Sequence, residues 1–232
     1  MLNIAIDGYA GAGKSSVAKE LAKRLNINHF NTGLIYRAIA CEYMLKYGDK
    51  FPPICDLGSG TVPNSIKQLV KKISIDVKFL DNKQICVVNG HVFDEQVLRH
   101  EKTSAFTPLI SPYPQIRDVV RRIQRKFARE NDCVMEGRDI GRVVLPNATY
   151  KFFLTATAEE RAKRRFNQLN SVEEYEKILE AIKKRDYEDI NREEGALIPA
   201  KNAIMLDTTE KTFEEVVSFC VNRVNEKQRQ KL

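Results

Sequence analysis

The chain has 232 residues, 43% hydrophobic and 30% charged, a balance that excludes a disordered or low-complexity polypeptide and suits one large domain or one domain carrying insertions. Its 38 lysines and arginines outnumber its 31 acidic residues, and the resulting +7 suggests an anionic partner such as a nucleotide, nucleic acid or acidic lipid. The five cysteines (41, 55, 86, 133 and 220) are odd in number and widely spaced, and His29, His91 and His100 form no ligand pair, so neither a disulfide framework nor a zinc or histidine metal centre is expected.

In chain order, residues 4–7 form a short apolar strand, and residues 14–25 place Val17, Ala18, Leu21, Ala22 and Leu25 on one helical face. A second strand is predicted near 27–30, then a helix from about 34 to 47 that stops at Gly48. Pro52, Pro53, Gly58, Gly60 and Pro63 mark a loop. The period then changes. Residues 75–79 alternate with period two, Asp81-Asn82 reads as a turn, 84–88 as another strand and Asn89-Gly90 as a hairpin turn. This predicts a small antiparallel sheet inserted into an α/β frame. The frame resumes with a helix over 115–129, carrying Ile116, Val119, Val120, Ile123 and Phe127 at helical spacing, and with strands at 133–135 and 150–154. Ser171 with Glu174 reads as a capping box for a helix reaching about 190. A strand at 203–206 and a helix from Thr212 to about Glu226 close the frame, and the tail from Lys227 is expected to fray. Five short apolar strands separated by helices predict a five-stranded, mostly parallel sheet flanked by helices. No apolar run approaches the length of a membrane span, and Met1-Leu2-Asn3 enters a strand without a basic leader, so a cytoplasmic protein is expected.

Gly8-Tyr9-Ala10-Gly11-Ala12-Gly13-Lys14-Ser15 fits GxxxxGK[ST] between a predicted strand and a predicted helix. That context is what the chemistry needs. Glycines let backbone N–H groups converge on phosphate oxygens, and the helix N-terminus adds a favourable dipole. Lys14 would reach the β- and γ-phosphates and Ser15 would ligand Mg²⁺. The loop points to a nucleoside triphosphate without naming the reaction.

Four further clusters are candidates. Thr32 and Arg37 follow the second strand, and Glu136-Gly137-Arg138-Asp139 follows the strand at 133–135, so both groups are expected where open α/β sheets bind ligands, outside the carboxyl ends of the strands. Arg185, Asp189 and Arg192 recur at i, i+4 and i+7, which on a helix is one face; a surface ion-pair ladder reads the same way. Arg161, Lys163, Arg164 and Arg165 are either a solvated helix face or a lid that closes over a transferring phosphate.

Taken together and in this order, the phosphate loop, NTGLIYR, EGRDIG, EERAKRR and RDYEDINR resemble the bacterial cytidylate kinase family over essentially the whole chain, inserted sheet included. The resemblance implies an α/β P-loop NTPase fold in a single kinase domain over 1–232, with an acceptor-binding insert at about 60–110 and a short helical lid at about 156–172. It implies transfer of the γ-phosphoryl group of ATP to CMP or dCMP, with Mg²⁺ as cofactor, in pyrimidine nucleotide metabolism. By motif, residues Gly8 to Ser16 would bind ATP, with Ser15 on Mg²⁺, and Lys14, Arg138, Arg161 and Arg165 would be catalytic. Thr32, Arg37, Arg117, Arg138, Asp139, Arg185, Asp189 and Arg192 would bind CMP. Arg37, Arg138 and Arg192 would hold its phosphate, Asp139 and Arg117 its base, and Arg185 and Asp189 its sugar. A monomer with nucleotide substrates, and neither nucleic acid nor membrane as partner, is expected.

The chain departs from the family's usual pattern at several positions. Tyr9-Ala10 replaces Pro-Ser in the loop, Asn31 and Glu136 stand where Asp is usual, and Pro108 takes the place of a base-reading serine for which Thr107 or Ser111 is an alternative. Other acceptors, such as UMP, AMP or a small hydroxylated metabolite, stay open on these grounds. So does a nucleotide-dependent nucleic-acid binder, suggested by Arg117, Arg121, Arg122, Arg125, Lys126 and Arg129, although no aromatic stacking platform accompanies those cations.

Overall fold

A computed structural model describes residues 1–48, 62–80, 83–168, 174–192 and 195–229. The elements begin with β1 (Asn3–Gly8), α1 (Lys14–Leu25), β2 (Asn28–Asn31), α2 (Thr32–Tyr47), α3 (Asn64–Lys72), β3 (Ile75–Leu80), β4 (Lys83–Val88) and β5 (His91–Phe93). They continue with α4 (Glu95–Arg99), α5 (Glu101–Ile110), α6 (Pro114–Glu130), β6 (Cys133–Glu136) and a π-helical turn (Ile140–Val144). β7 (Tyr150–Thr155), α7 (Ala158–Gln168), α8 (Tyr175–Ile190), β8 (Ile204–Asp207) and α9 (Phe213–Arg229) complete the chain. Two compact units result: Met1–Phe30 with Asn131–Leu232, and Asn31–Glu130.

The first unit is built on a five-stranded sheet in the order β2-β6-β1-β7-β8, in which β1 runs parallel to β6 and β7, and β7 parallel to β8. Helices on both faces require apolar side chains on both sides of the central strand. Ile4, Ala5 and Ile6 of β1 are accordingly buried. Ile4, Ile6, Leu21, Val134, Phe152, Val217 and Val224 form one core with the inward faces of α1 and α9. Burial of each such side chain contributes about 1.5–3 kcal/mol. The helix expected from Thr212 is α9, and its start is a capping box: Thr212 N–H donates to Glu215 Oε2 at 2.7 Å and Glu215 N–H to Thr212 Oγ1 at 3.3 Å.

The second unit carries the antiparallel sheet β3-β4-β5. Asn89 and Gly90 take positive φ of 51° and 88°, as a two-residue turn between twisted strands requires. Glu42 of α2 anchors that turn, accepting from Asn89 Nδ2 at 2.7 Å and lying 2.8 Å from His91 Nδ1. Tyr43, Phe106, Ile110, Tyr113 and Ile116 are buried, and the Tyr43 and Phe106 rings meet at 5.4 Å.

Several expectations shift. The second helix begins at Thr32 rather than near 34, so Thr32 is its first residue, and α3, α4, α5, β5 and the π-helical turn are elements that the apolar pattern did not reveal. α8 starts at Tyr175 with Glu174 as its N-cap and no side-chain capping bond; Ser171 lies outside the described residues. So do Pro52, Pro53, Cys55, Gly58, Gly60, Asp81 and Asn82. α8 ends at Ile190, so Arg192 is not on the helix with Arg185 and Asp189. Cys41, Cys86, Cys133 and Cys220 are free and buried. No helix among the described residues is long and apolar enough to cross a membrane.

Candidate active site

The phosphate loop leaves β1 at Gly8, where φ is 141° and a Cβ would lie 2.0 Å from the Leu154 carbonyl oxygen; only glycine fits. Gly13 at the entry of α1 has φ 84° and again needs a glycine. Lys14 is buried and its Nζ donates to the Tyr9 carbonyl at 2.5 Å, closing the loop on itself. Burial, reinforced by the nearby Arg138, holds its ammonium pKa well below the ordinary value, while Glu136 and Asp7 act the other way.

Ser15 Oγ donates to Glu136 Oε2 at 2.6 Å, and Glu136 Oε1 lies 3.2 Å from His29 Nε2. Burial pushes the Glu136 pKa up, but the bonds from His29 and Ser15 and the charge of Lys14 prevail, and the carboxyl sits below its ordinary value. Because the Ser15 proton is given to a carboxylate, the hydroxyl's lone pairs are left to a hard cation. The donor chemistry at Ser15 therefore fits a metal ion bound with nucleotide phosphates.

Asp189, the most buried carboxylate among the described residues at 1% exposed, collects three arginines. Arg138 Nε reaches Oδ2 at 2.8 Å, Arg192 Nη2 reaches Oδ1 at 2.6 Å and Arg185 Nε lies 3.9 Å from Oδ2. Burial raises the Asp189 pKa, but Arg138 and Arg192 outweigh it and the group stays ionised. Arg192 reaches the cluster from beyond the helix end. The Leu197 N–H bond to the Asp189 carbonyl, 2.8 Å, closes the loop there.

Arg161 is 3% exposed and engaged through all three guanidinium nitrogens. Its Nε donates to Ala156 O, Nη1 to Ala10 O in the phosphate loop, and Nη1 and Nη2 to both oxygens of Asp186 at 2.9 and 2.6 Å. The Tyr9 ring covers the guanidinium at 5.1 Å. Arg164 is held by Glu160 and by Thr208, whereas Arg165 is exposed. One cluster thus splits into a brace on the phosphate loop and a solvated face.

Asp7, the last acidic residue of β1 before the loop, is 4% exposed and accepts the N–H groups of Ile140 and Gly141 at 2.8 and 2.7 Å. It thereby fixes the π-helical turn whose N-cap is Asp139. Burial raises its pKa to about 6 in spite of those two bonds. Asp7, His29 and Asp186 contact the candidate site or its flanking turn and were passed over by motif reading. The available signals were a carboxylate inside an apolar strand, a histidine on a strand and an acid next to Arg185.

In the second unit, Gln124 of α6 donates to Thr32 Oγ1 at 2.9 Å in a buried contact, leaving the Thr32 proton to donate elsewhere. Arg37 donates from Nη1 to Leu98 O and to Ser104 Oγ, at 3.0 and 2.5 Å, which fixes its fork while Nε and Nη2 take no protein acceptor among the described residues. Gln84 clamps Asn31 through both backbone groups, at 2.7 and 3.1 Å. Arg117 is buried on α6. Pro108 lies inside α5, and Thr107 Oγ1 donates back to Thr103 O at 2.7 Å.

A parallel sheet with a phosphate loop at the end of its central strand, a hydroxyl tied to a carboxylate, and an arginine cluster defines a P-loop phosphotransferase. The family model for cytidylate kinase matches residues 4–226, and the chain belongs to the cytidylate kinase family. It is 40% identical over 230 residues to a cytidylate kinase from Clostridium acetobutylicum, covering 97% of this chain and 99% of that one. It is 38% identical over 222 residues to one from Caldicellulosiruptor bescii, covering 93% and 92%. Among solved structures, an uncharacterized protein from Eubacterium ventriosum superposes with a TM-score of 0.53 at 13% identity, over 97% of this chain and 99% of that chain, a likeness of fold.

Proposed function

We propose that the chain transfers the γ-phosphoryl group of ATP to CMP or dCMP, giving ADP and CDP or dCDP. Family membership supports the reaction, and the arginine cluster is the observation that carries it onto these residues. Three guanidiniums gather around one buried carboxylate, so these four groups together are net positive. That surplus suits a phosphate dianion. The reaction brings two anions together, so catalysis is chiefly positioning and charge neutralisation. The acceptor oxygen is already ionised, and no general base is needed.

In this reading residues Gly8 to Ser16 cradle the ATP phosphates and Lys14 leaves the Tyr9 carbonyl for them. Mg²⁺, supplied with ATP, would be held at Ser15, where it would neutralise charge on the phosphates. Arg138 and Arg192 bind the acceptor phosphate with Arg37; Arg185 and Asp189 address the sugar. Asp139 accepts from the exocyclic amine of cytosine, and Arg117 and Thr32 complete the acceptor contacts. Arg161 braces the phosphate loop through the Ala10 carbonyl, and Arg165, exposed on the same helix, acts on the donor side as the lid arginine. Arginine suits these tasks because its planar fork binds phosphate oxygens in pairs.

Chromatography of a reaction of Mg·ATP with CMP tests the proposal. Stoichiometric ADP and CDP are expected; ADP without CDP would mean hydrolysis and sink it.

A further inference from the structure

His29 lies on β2 and Glu136 on the neighbouring β6, with His29 Nε2 3.2 Å from Glu136 Oε1 and Ser15 Oγ 2.6 Å from Glu136 Oε2. The His29 and Glu136 side chains are 17% and 6% exposed, so water is a poor substitute for either bond. The terminal torsion of a glutamate is broad, and one fixed oxygen does not hold the other. Two bonds on two different oxygens do. We propose that His29 is a positioning residue for the metal-bound donor nucleotide. Its Nε2–H engages one oxygen of Glu136, so that the other takes the Ser15 proton and Ser15 keeps its lone pairs for the cation. The inference rests on the reading of Ser15 as the metal's hydroxyl ligand.

The arrangement has a chemical logic. A glutamate that turned away from Ser15 would release the hydroxyl to rotate and donate toward phosphate instead of accepting a cation. It would also be free to pair with Lys14, whose pKa it already raises. Groups that orient a metal-ligating side chain typically change metal affinity by about 10–100-fold when removed. His29 touches neither nucleotide nor metal in this scheme and acts through Glu136 alone, which gives the test its form.

The test is calorimetric binding of a non-hydrolysable ATP analogue to the full chain across a Mg²⁺ series. His29→Phe is expected to raise the Mg²⁺ concentration for half-maximal binding about tenfold, with metal-free binding unchanged. His29→Gln, which restores an N–H of similar reach, should recover most of the loss. His29→Asn, whose amide stops short, should behave as His29→Phe does and stands in for it if the phenylalanine variant does not fold. In a Glu136→Gln background His29→Phe should add nothing. An unchanged Mg²⁺ requirement in His29→Phe and His29→Asn, or an equal further loss in the Glu136→Gln background, would overturn the proposal. If the unaltered protein binds the analogue indifferently to Mg²⁺, the metal reading of Ser15 is itself wrong and the role of His29 goes with it.

Discussion

Asp186 grips the Arg161 guanidinium through both carboxylate oxygens, at 2.9 and 2.6 Å, while Arg161 also donates to the Ala10 carbonyl of the phosphate loop. The loop is therefore held from α7 and α8 as well as by its own glycines. Breaking a buried ion pair from one side leaves an uncompensated charge and costs about 3–5 kcal/mol. Asp186→Ala should destabilise the protein by about 3 kcal/mol in denaturant unfolding. Arg161→Lys should lose most of the same stability, since an ammonium cannot serve Ala156, Ala10 and both Asp186 oxygens together. Wild-type unfolding midpoints in both variants would show that the clasp contributes nothing.

Arg138 and Arg192 share Asp189, and each fixes a different oxygen. If Arg138 binds the acceptor phosphate as proposed, Arg138→Ala should lower kcat/KM by about 10²–10³, equivalent to about 3–4 kcal/mol of transition-state stabilisation. Steady-state kinetics checks this. A near-normal kcat/KM would remove Arg138 from the chemistry and leave it as a partner of Asp189.

The buried Asp7 makes stability depend on pH in an unusual direction. Its folded pKa is raised from 3.8 to about 6, so folding favours the protonated form. Its contribution is full below about pH 4 and is lost as pH rises through about 6. A rise from 3.8 to about 6 corresponds to about 3 kcal/mol. The stability of the native protein minus that of Asp7→Asn should therefore fall by about that amount between pH 4 and 7. A difference that stays flat with pH would contradict the raised pKa.

How much of this was legible beforehand depended on what each residue does. The strands of the five-stranded sheet were readable because burial on both faces demands continuous apolar runs, as in 4–6 and 133–135. The hairpin at Asn89-Gly90 was readable because its positive φ values restrict the residues that can stand there. The phosphate loop carried a spacing with a mechanism. α4 and α5 were not legible, because His100 separates two short helices and Pro108 interrupts the helical signal, yet a proline within α5 is tolerated by its surroundings. The ion pairs of the site were hidden for a different reason. Arg185, Asp189 and Arg192 show the same spacing as a surface ladder, and only the burial of Asp189 distinguishes them. Partners far apart in the chain, such as Ser15 with Glu136 or Gln124 with Thr32, leave no periodic trace at all.

Gln124 supplies one such prediction. Gln124→Leu keeps the volume but removes the only buried donor to Thr32 among the described hydrogen bonds. The loss should raise KM for the acceptor several-fold, by about 1 kcal/mol, and leave KM for ATP unchanged. Equal rises in both constants would point to a general loss of structure instead.

The identity of the acceptor is read from ADP formation from Mg·ATP with CMP, dCMP, UMP and AMP offered separately. A site that reads the cytosine amine through hydrogen bonds rejects a base lacking it strongly. Rapid turnover is expected with CMP and dCMP and little with UMP or AMP, with Pro108 tolerated. Comparable turnover with UMP would contradict the base-reading roles of Asp139 and Arg117, and no turnover with CMP would contradict the proposed function itself.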